Sequence, residues 1–128
     1  MNKKMNIAIV GLGNIGSYFY DYLKKNKKII SNKTNTIPNI LFISAKSFKK
    51  KRNFPLPKKI WLKNYLLAAK DKNVDIVVEL IGGAEGSAKK LVFEALKNGK
   101  HVITANKALV AKYGDQLSKI AEKNKVNF

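Results

Sequence analysis

The stretch GLGNIG, Gly11 to Gly16, has the spacing G-x-G-x-x-G. It follows an apolar run from Met5 to Val10 that reads as a buried strand, and it opens a helical pattern at Asn14. In that setting each glycine has a task. Gly11 permits a tight turn, Gly13 lets the backbone approach a diphosphate, and Gly16 lets the helix pack on the strand. The unpaired N–H groups and the positive end of the helix then favour an anion. No G-K-[ST] follows the glycines, which excludes a P-loop. The ligand implied is a dinucleotide.

A second apolar run, Ile40 to Ser44, should end beside that loop. A carboxylate there would bind the 2′-hydroxyl of an adenosine ribose. The sequence instead reads Ser44-Ala45-Lys46-Ser47, followed by Lys49-Lys50-Lys51-Arg52. Cations and a serine hydroxyl attract a 2′-phosphate where a carboxylate would repel it. Lys46 and Arg52 are the expected pair, and NADP(H) is expected over NAD(H).

Two further stretches should share the carboxyl edge of the sheet, where open α/β folds hold their ligands. In ELIGG, Gly82 and Gly83 could bring backbone close to the ribose and nicotinamide, or could form an ordinary turn. Glu79 lies inside its strand, and a carboxyl group there is costly to bury without hydrogen bonds, so neighbouring backbone should supply them. In TANK, Thr104 to Lys107, a lysine begins a helix against the macrodipole, at a cost of ~0.3–1 kcal/mol. Its return would be a donor near a reacting carbonyl or hydroxyl, or near a substrate carboxylate. A plain surface lysine is the competing explanation. Thr104 and Asn106 add polar groups at the same place. His101 begins its strand at the opposite edge and reads as structural.

The elements that must position these residues alternate. Strands are expected at Met5 to Val10, Ile40 to Ser44, Val74 to Ile81 and His101 to Ala105. Helices are expected at Asn14 to about Lys25, Ile60 to Lys72, Ser87 to Asn98 and Lys107 to Asn124. Lys27 to Asn39 is polar and holds Pro38, so it reads as a loop; Ala45 to Lys59 holds Pro55 and Pro57 and reads as irregular. Val126-Asn127-Phe128 looks like the start of another strand. Apolar strands alternating with amphipathic helices imply an α/β fold, a doubly wound, mainly parallel Rossmann-like sheet with helices on both faces. Residues 1–128 read as one dinucleotide-binding domain.

The chain has 128 residues, no cysteine and one histidine, which excludes disulfides and thiolate metal sites and argues against a histidine metal site or a serine triad. No apolar run reaches the ~18 residues of a membrane span, and the run before the glycines is shorter than the ~7–15 of a signal-peptide core. A cytoplasmic protein is expected. The net charge of +18 comes almost wholly from lysine, Arg52 being the sole arginine, and lysines are spread along the chain. Without arginines for base readout or interleaved aromatics, this composition argues against nucleic-acid binding.

Taken together, GLGNIG, VDIVVELIGG and ALKNGKHVITANKALVAKYGDQL resemble the N-terminal coenzyme-binding domain of homoserine dehydrogenases. The resemblance spans nearly the whole chain apart from the polar insertion at Lys27 to Asn39. It implies a hydride transfer between L-homoserine and L-aspartate 4-semialdehyde with NAD(P), in threonine, isoleucine and methionine biosynthesis. It implies pyrophosphate binding by Gly11, Gly13 and Gly16 with Asn14 and Ile15 between them. Thr104, Ala105 and Lys107 would lie by the nicotinamide, with Lys107 in substrate binding and catalysis. Many family members end the second strand in arginine and aspartate; this one has Ala45-Lys46-Ser47. The resemblance further implies a homodimer, a substrate domain beyond Phe128 with its own lysine and aspartate, and no turnover by these 128 residues alone. A stand-alone NAD(P)-binding regulatory module is the alternative from another class.

Overall fold

The computed structural model describes residues 3–48, 52 and 54–128. Four parallel strands make one sheet: β1 (Lys3–Val10), β2 (Thr36–Ser44), β3 (Ile76–Glu79) and β4 (His101–Thr104), in the order β2-β1-β3-β4. Along β1, Ile7 and Ile9 face one side while Ala8 and Val10 face the other, as the two-residue period of a strand requires. Val77 and Val78 divide between the same two sides in β3. Both faces are therefore apolar and both must be covered.

One face takes α1 (Asn14–Lys25), which lays Tyr20, Phe19 and Leu23 over Ile7, Ile9 and Val78. The other takes α3 (Leu67–Lys70), α4 (Ser87–Lys97) and α5 (Lys107–Lys123). There Leu91, Val92, Ala95 and Leu96 of α4 and Leu109 and Leu117 of α5 are buried around Val77 and Val102. The chain leaves β1 on one face and reaches β3 on the other, so the carboxyl ends of β1 and β3 flank the switch point of the sheet. The doubly wound architecture is as expected from the sequence.

Several boundaries differ. Lys27 to Asn39, expected as a loop, contains helix α2 (Lys27–Thr34) and the first part of β2. Asn35, left-handed at φ 55°, turns the chain between them. Pro38 sits within β2 opposite Met5. A proline is tolerated there because β2 is an edge strand, so its missing N–H need not interrupt the ladder. The helix expected over Ile60 to Lys72 is only the single turn α3, preceded by a 3-10 turn at Lys58–Ile60. Trp61 is extended instead (φ −73°, ψ 126°), forms a parallel bridge with Ile43, and is followed by Leu62 N–H donating to Ile43 O at 2.7 Å. Pairing with the open edge of β2 therefore overrides helical spacing there.

β3 is shorter than Val74 to Ile81, and β4 stops at Thr104 rather than Ala105. Val126 to Phe128 form no strand, although Asn127 O accepts from Val102 N–H at 3.0 Å and His101 Nδ1 accepts from Asn127 N–H at 3.0 Å. His101 is thus a structural acceptor at the amino edge. Among the described residues, no helix is long and apolar enough to cross a membrane.

Candidate nucleotide-binding site

The glycine loop owes its shape to two close approaches. Gly11 has φ 104°, and a Cβ there would stand 2.6 Å from the carbonyl carbon and oxygen of Leu80. A Cβ on Gly16 would stand 2.0 Å from Gly11 O. Only glycine lets α1 start this close to the ends of β1 and β3. Gly13 is different: its φ is −75°, and nothing lies within 4 Å of its Cβ position. Its missing side chain leaves open space rather than avoiding a clash.

Gly13 also caps α1 and has no side chain to bond to the first turn of that helix, which holds no acidic residue. The leading N–H groups of a helix have no partner within it. By contrast, Asn106 caps α5, its Oδ1 accepting from Leu109 N–H at 3.0 Å. Of the three helix starts at this edge, that of α5 is closed by its own side chain, while those of α1 and α4, at Gly13 and Gly86, have no side-chain cap; the α1 start, on the glycine loop, is available to an anion.

That available end opens into a cleft of about 540 Å³. Its walls include Val10, Gly11, Leu12 and Gly13 from the loop, Ser44, Ala45, Lys46 and Ser47 after β2, and Leu80 and Ile81 after β3. Arg52, Lys63, Tyr65 and Ser87 line it as well. Among the described residues lining the cleft are Lys46, Arg52 and Lys63 and no carboxylate, so its electrostatics favour a phosphate-bearing ligand. Arg52 is held in place, Nη2 donating to Ser47 O at 2.8 Å and Nη1 to Phe48 O at 3.3 Å.

Beyond the cleft the polar groups form a closed chain. Glu79 is fully buried. Its Oε2 accepts from Ile81 N–H at 2.8 Å and Gly82 N–H at 3.0 Å, while its Oε1 accepts from Thr104 Oγ1 at 2.5 Å. Thr104 Oγ1 in turn accepts from Asn106 N–H at 3.0 Å, and Asn106 Nδ2 donates to Gly83 O at 2.6 Å. ELIGG and TANK are therefore tied to each other. Gly82 and Gly83 have φ of 93° and 83°, a conformation that L side chains seldom adopt.

The family model described as "Homoserine dehydrogenase, NAD binding domain" matches residues 11–128. The chain belongs to the homoserine dehydrogenase family. The Neisseria gonorrhoeae homoserine dehydrogenase is 38% identical over 124 residues, covering 97% of this chain and 28% of that protein. The crystal structure of S. aureus homoserine dehydrogenase at pH 6.0 superposes with a TM-score of 0.89 at 35% identity, over 99% of this chain and 32% of that one. A hyperthermophilic archaeal homoserine dehydrogenase in complex with NADPH matches at a TM-score of 0.76 and 21% identity, a likeness of fold, over 98% of this chain and 43% of that one. The chain thus spans about a third or less of the first two relatives' length.

Within this homoserine dehydrogenase domain, Gly11, Gly13, Lys46 and Arg52 come together on the cleft walls. Asn14 and Ile15 form the exposed first turn of α1, and Gly16 is buried behind it. Gly82, Gly83, Thr104, Ala105 and Lys107 lie outside those walls, on the two tied loops that continue the same edge from Ile81. Lys107 is exposed at the first position of α5. Of the basic run after Lys46, Lys49, Lys50 and Lys51 lie outside the described residues. Sequence reasoning missed Lys63, Tyr65 and Ser87 as wall residues. Lys63 and Tyr65 were hidden by the helix expected there; Ser87 carried a weak signal, as the first residue of a helix starting at the carboxyl edge.

Proposed function

We propose that this chain binds the dinucleotide of a homoserine dehydrogenase and prefers NADP(H) to NAD(H). The observation that carries this reading is the start of α1, without a side-chain cap, opening into a cleft whose described walls hold Lys46, Arg52 and Lys63 and no carboxylate. The open space at Gly13 suits a diphosphate drawn against the helix start, and Lys46, Arg52 and Lys63 suit an adenosine 2′-phosphate near the end of β2. The NADPH of the archaeal homoserine dehydrogenase agrees with this direction.

When bound, the nicotinamide supplies or accepts the hydride exchanged with L-aspartate 4-semialdehyde or L-homoserine. The chain's own part is to hold the cofactor's phosphates and to present polar groups at the reacting end. Gly82, Gly83, Thr104 and Ala105 would border the nicotinamide half. Lys107 would donate a hydrogen bond to the substrate oxygen that gains or loses charge, where a fixed donor lowers the barrier.

The test is calorimetric titration of the 128-residue chain with NADPH, NADH and adenosine 2′,5′-bisphosphate at physiological salt. NADPH should bind more tightly than NADH, and the bisphosphate should bind without a nicotinamide. A folded chain that binds none of the three would defeat the assignment; equal NADPH and NADH affinities would defeat the preference.

A further inference from the structure

We infer that Glu79 is a positioning residue: its buried carboxyl group locks the ELIGG and TANK loops into one unit and so sets the wall against which the nicotinamide half and Lys107 are placed. This rests on the proposed dinucleotide site, but the geometry behind it is independent of any ligand.

The first consideration is cost. Residues 76–78, just before Glu79, are Ile, Val and Val, and an apolar residue at position 79 would be far cheaper to bury than a carboxyl group. Fold economy does not account for Glu79. Its bonds do. Glu79 and Thr104 are Cα partners in the β3–β4 register, the last pair before both strands end. From that position one oxygen reaches forward to the amides of Ile81 and Gly82, and the other takes the hydroxyl of Thr104. Asn106 closes the ring, its N–H donating to Thr104 Oγ1 and its Nδ2 to Gly83 O.

The second consideration is what else could hold these loops. Ile81, Gly82, Gly83, Ala105 and Lys107 are all exposed. Nothing lies within 4 Å of the Cβ position of Gly82, so packing does not fix its left-handed backbone. The hydrogen-bond ring is the restraint. A buried polar network of this kind is rigid when complete and costly when one member is removed. Glu79 itself is fully buried, so any influence on a ligand must pass through the loops it holds.

The test combines hydrogen exchange on the free chain with titration. Thr104→Val should speed exchange of the Ile81 and Gly82 amides about tenfold, although Thr104 touches neither, and Thr104→Ser should restore the wild-type rate. Glu79→Gln should weaken NADPH about tenfold while leaving adenosine 2′,5′-bisphosphate affinity unchanged. If Thr104→Val exchanges like wild type at Ile81 and Gly82, the coupling is absent and the inference falls. It also falls if Glu79→Gln, still folded by circular dichroism, weakens both ligands equally or neither. Should wild type bind no nucleotide, the cofactor assignment fails, and the exchange arm still decides whether Glu79 couples the loops. Should Thr104→Val not fold, Glu79→Gln takes its place in the exchange experiment, with faster exchange at both Gly82 and Asn106 expected and a change confined to Gly82 contrary.

Discussion

The carbonyl oxygen of Gly11 and the α-carbon of Gly16 are so close that a Cβ added to Gly16 would stand 2.0 Å from that oxygen. The obstacle is backbone on a loop already pinned by Gly11 N–H donating to Ser44 O at 2.8 Å. It cannot move aside as a flexible side chain would. Gly16→Ala is therefore expected to lower stability by at least ~1–3 kcal/mol, the range for forcing an extra carbon into a packed site. Thermal denaturation measures this, and an unchanged midpoint would show that α1 can shift without loss.

Gly13→Ala should do the opposite. The position has an ordinary φ and open space, so stability should stay within ~0.5 kcal/mol of wild type. The added methyl would project where a diphosphate must approach the helix start, and NADPH affinity should fall about tenfold or more. Titration alongside thermal melting separates the two effects. A variant that binds normally would mean the phosphates do not lie against Gly13.

Lys46, Arg52 and Lys63 of the cleft differ in what else they hold. Arg52 also bonds Ser47 and Phe48, so Arg52→Ala should disturb the loop as well as the charge. Lys46→Ala and Lys63→Ala are the cleaner changes. Each should weaken NADPH about five- to tenfold and leave NADH nearly untouched, because a charge-assisted bond to phosphate is lost only where the 2′-phosphate exists. Equal losses for both nucleotides would place these lysines on the shared diphosphate instead.

What could be read from the sequence was whatever is local. The glycine loop was legible because strand, turn and helix follow within a dozen residues, and α4 and α5 because Leu91, Val92, Leu96, Leu109 and Leu117 repeat at helical spacing. The rest depended on tertiary neighbours. α2 carries few apolar residues, with Ile29 exposed, and its register is not visible in a polar segment. Trp61 and Tyr65 do have helical spacing, yet Trp61 pairs with Ile43 at the edge of β2, and that pairing carries Lys63 and Tyr65 to the cleft. The Glu79–Thr104 bond was half legible. A buried carboxyl group demanded partners, but only the register of β3 with β4 names Thr104.

Acid should loosen a different tie. Glu85, in the turn before α4, accepts from Lys112 Nζ at 2.7 Å and Lys89 Nζ at 3.4 Å, and from the hydroxyl of Tyr113. The bond from Lys112 above all, then that from Tyr113, lowers its pKa from 4.5 to about 2. A carboxyl group whose folded pKa is depressed stabilises the fold fully above its unfolded value and loses that contribution as pH falls through the folded one. The window here runs from 4.5 down to about 2. The cluster lies at the surface, so its effect should be modest and should shrink in high salt. Wild type should melt slightly above Glu85→Gln near pH ~6, and the gap should close on acidification through that window. A gap that is unchanged at the acid end would mean that the glutamine acts through packing or helix propensity, not through the lost charge.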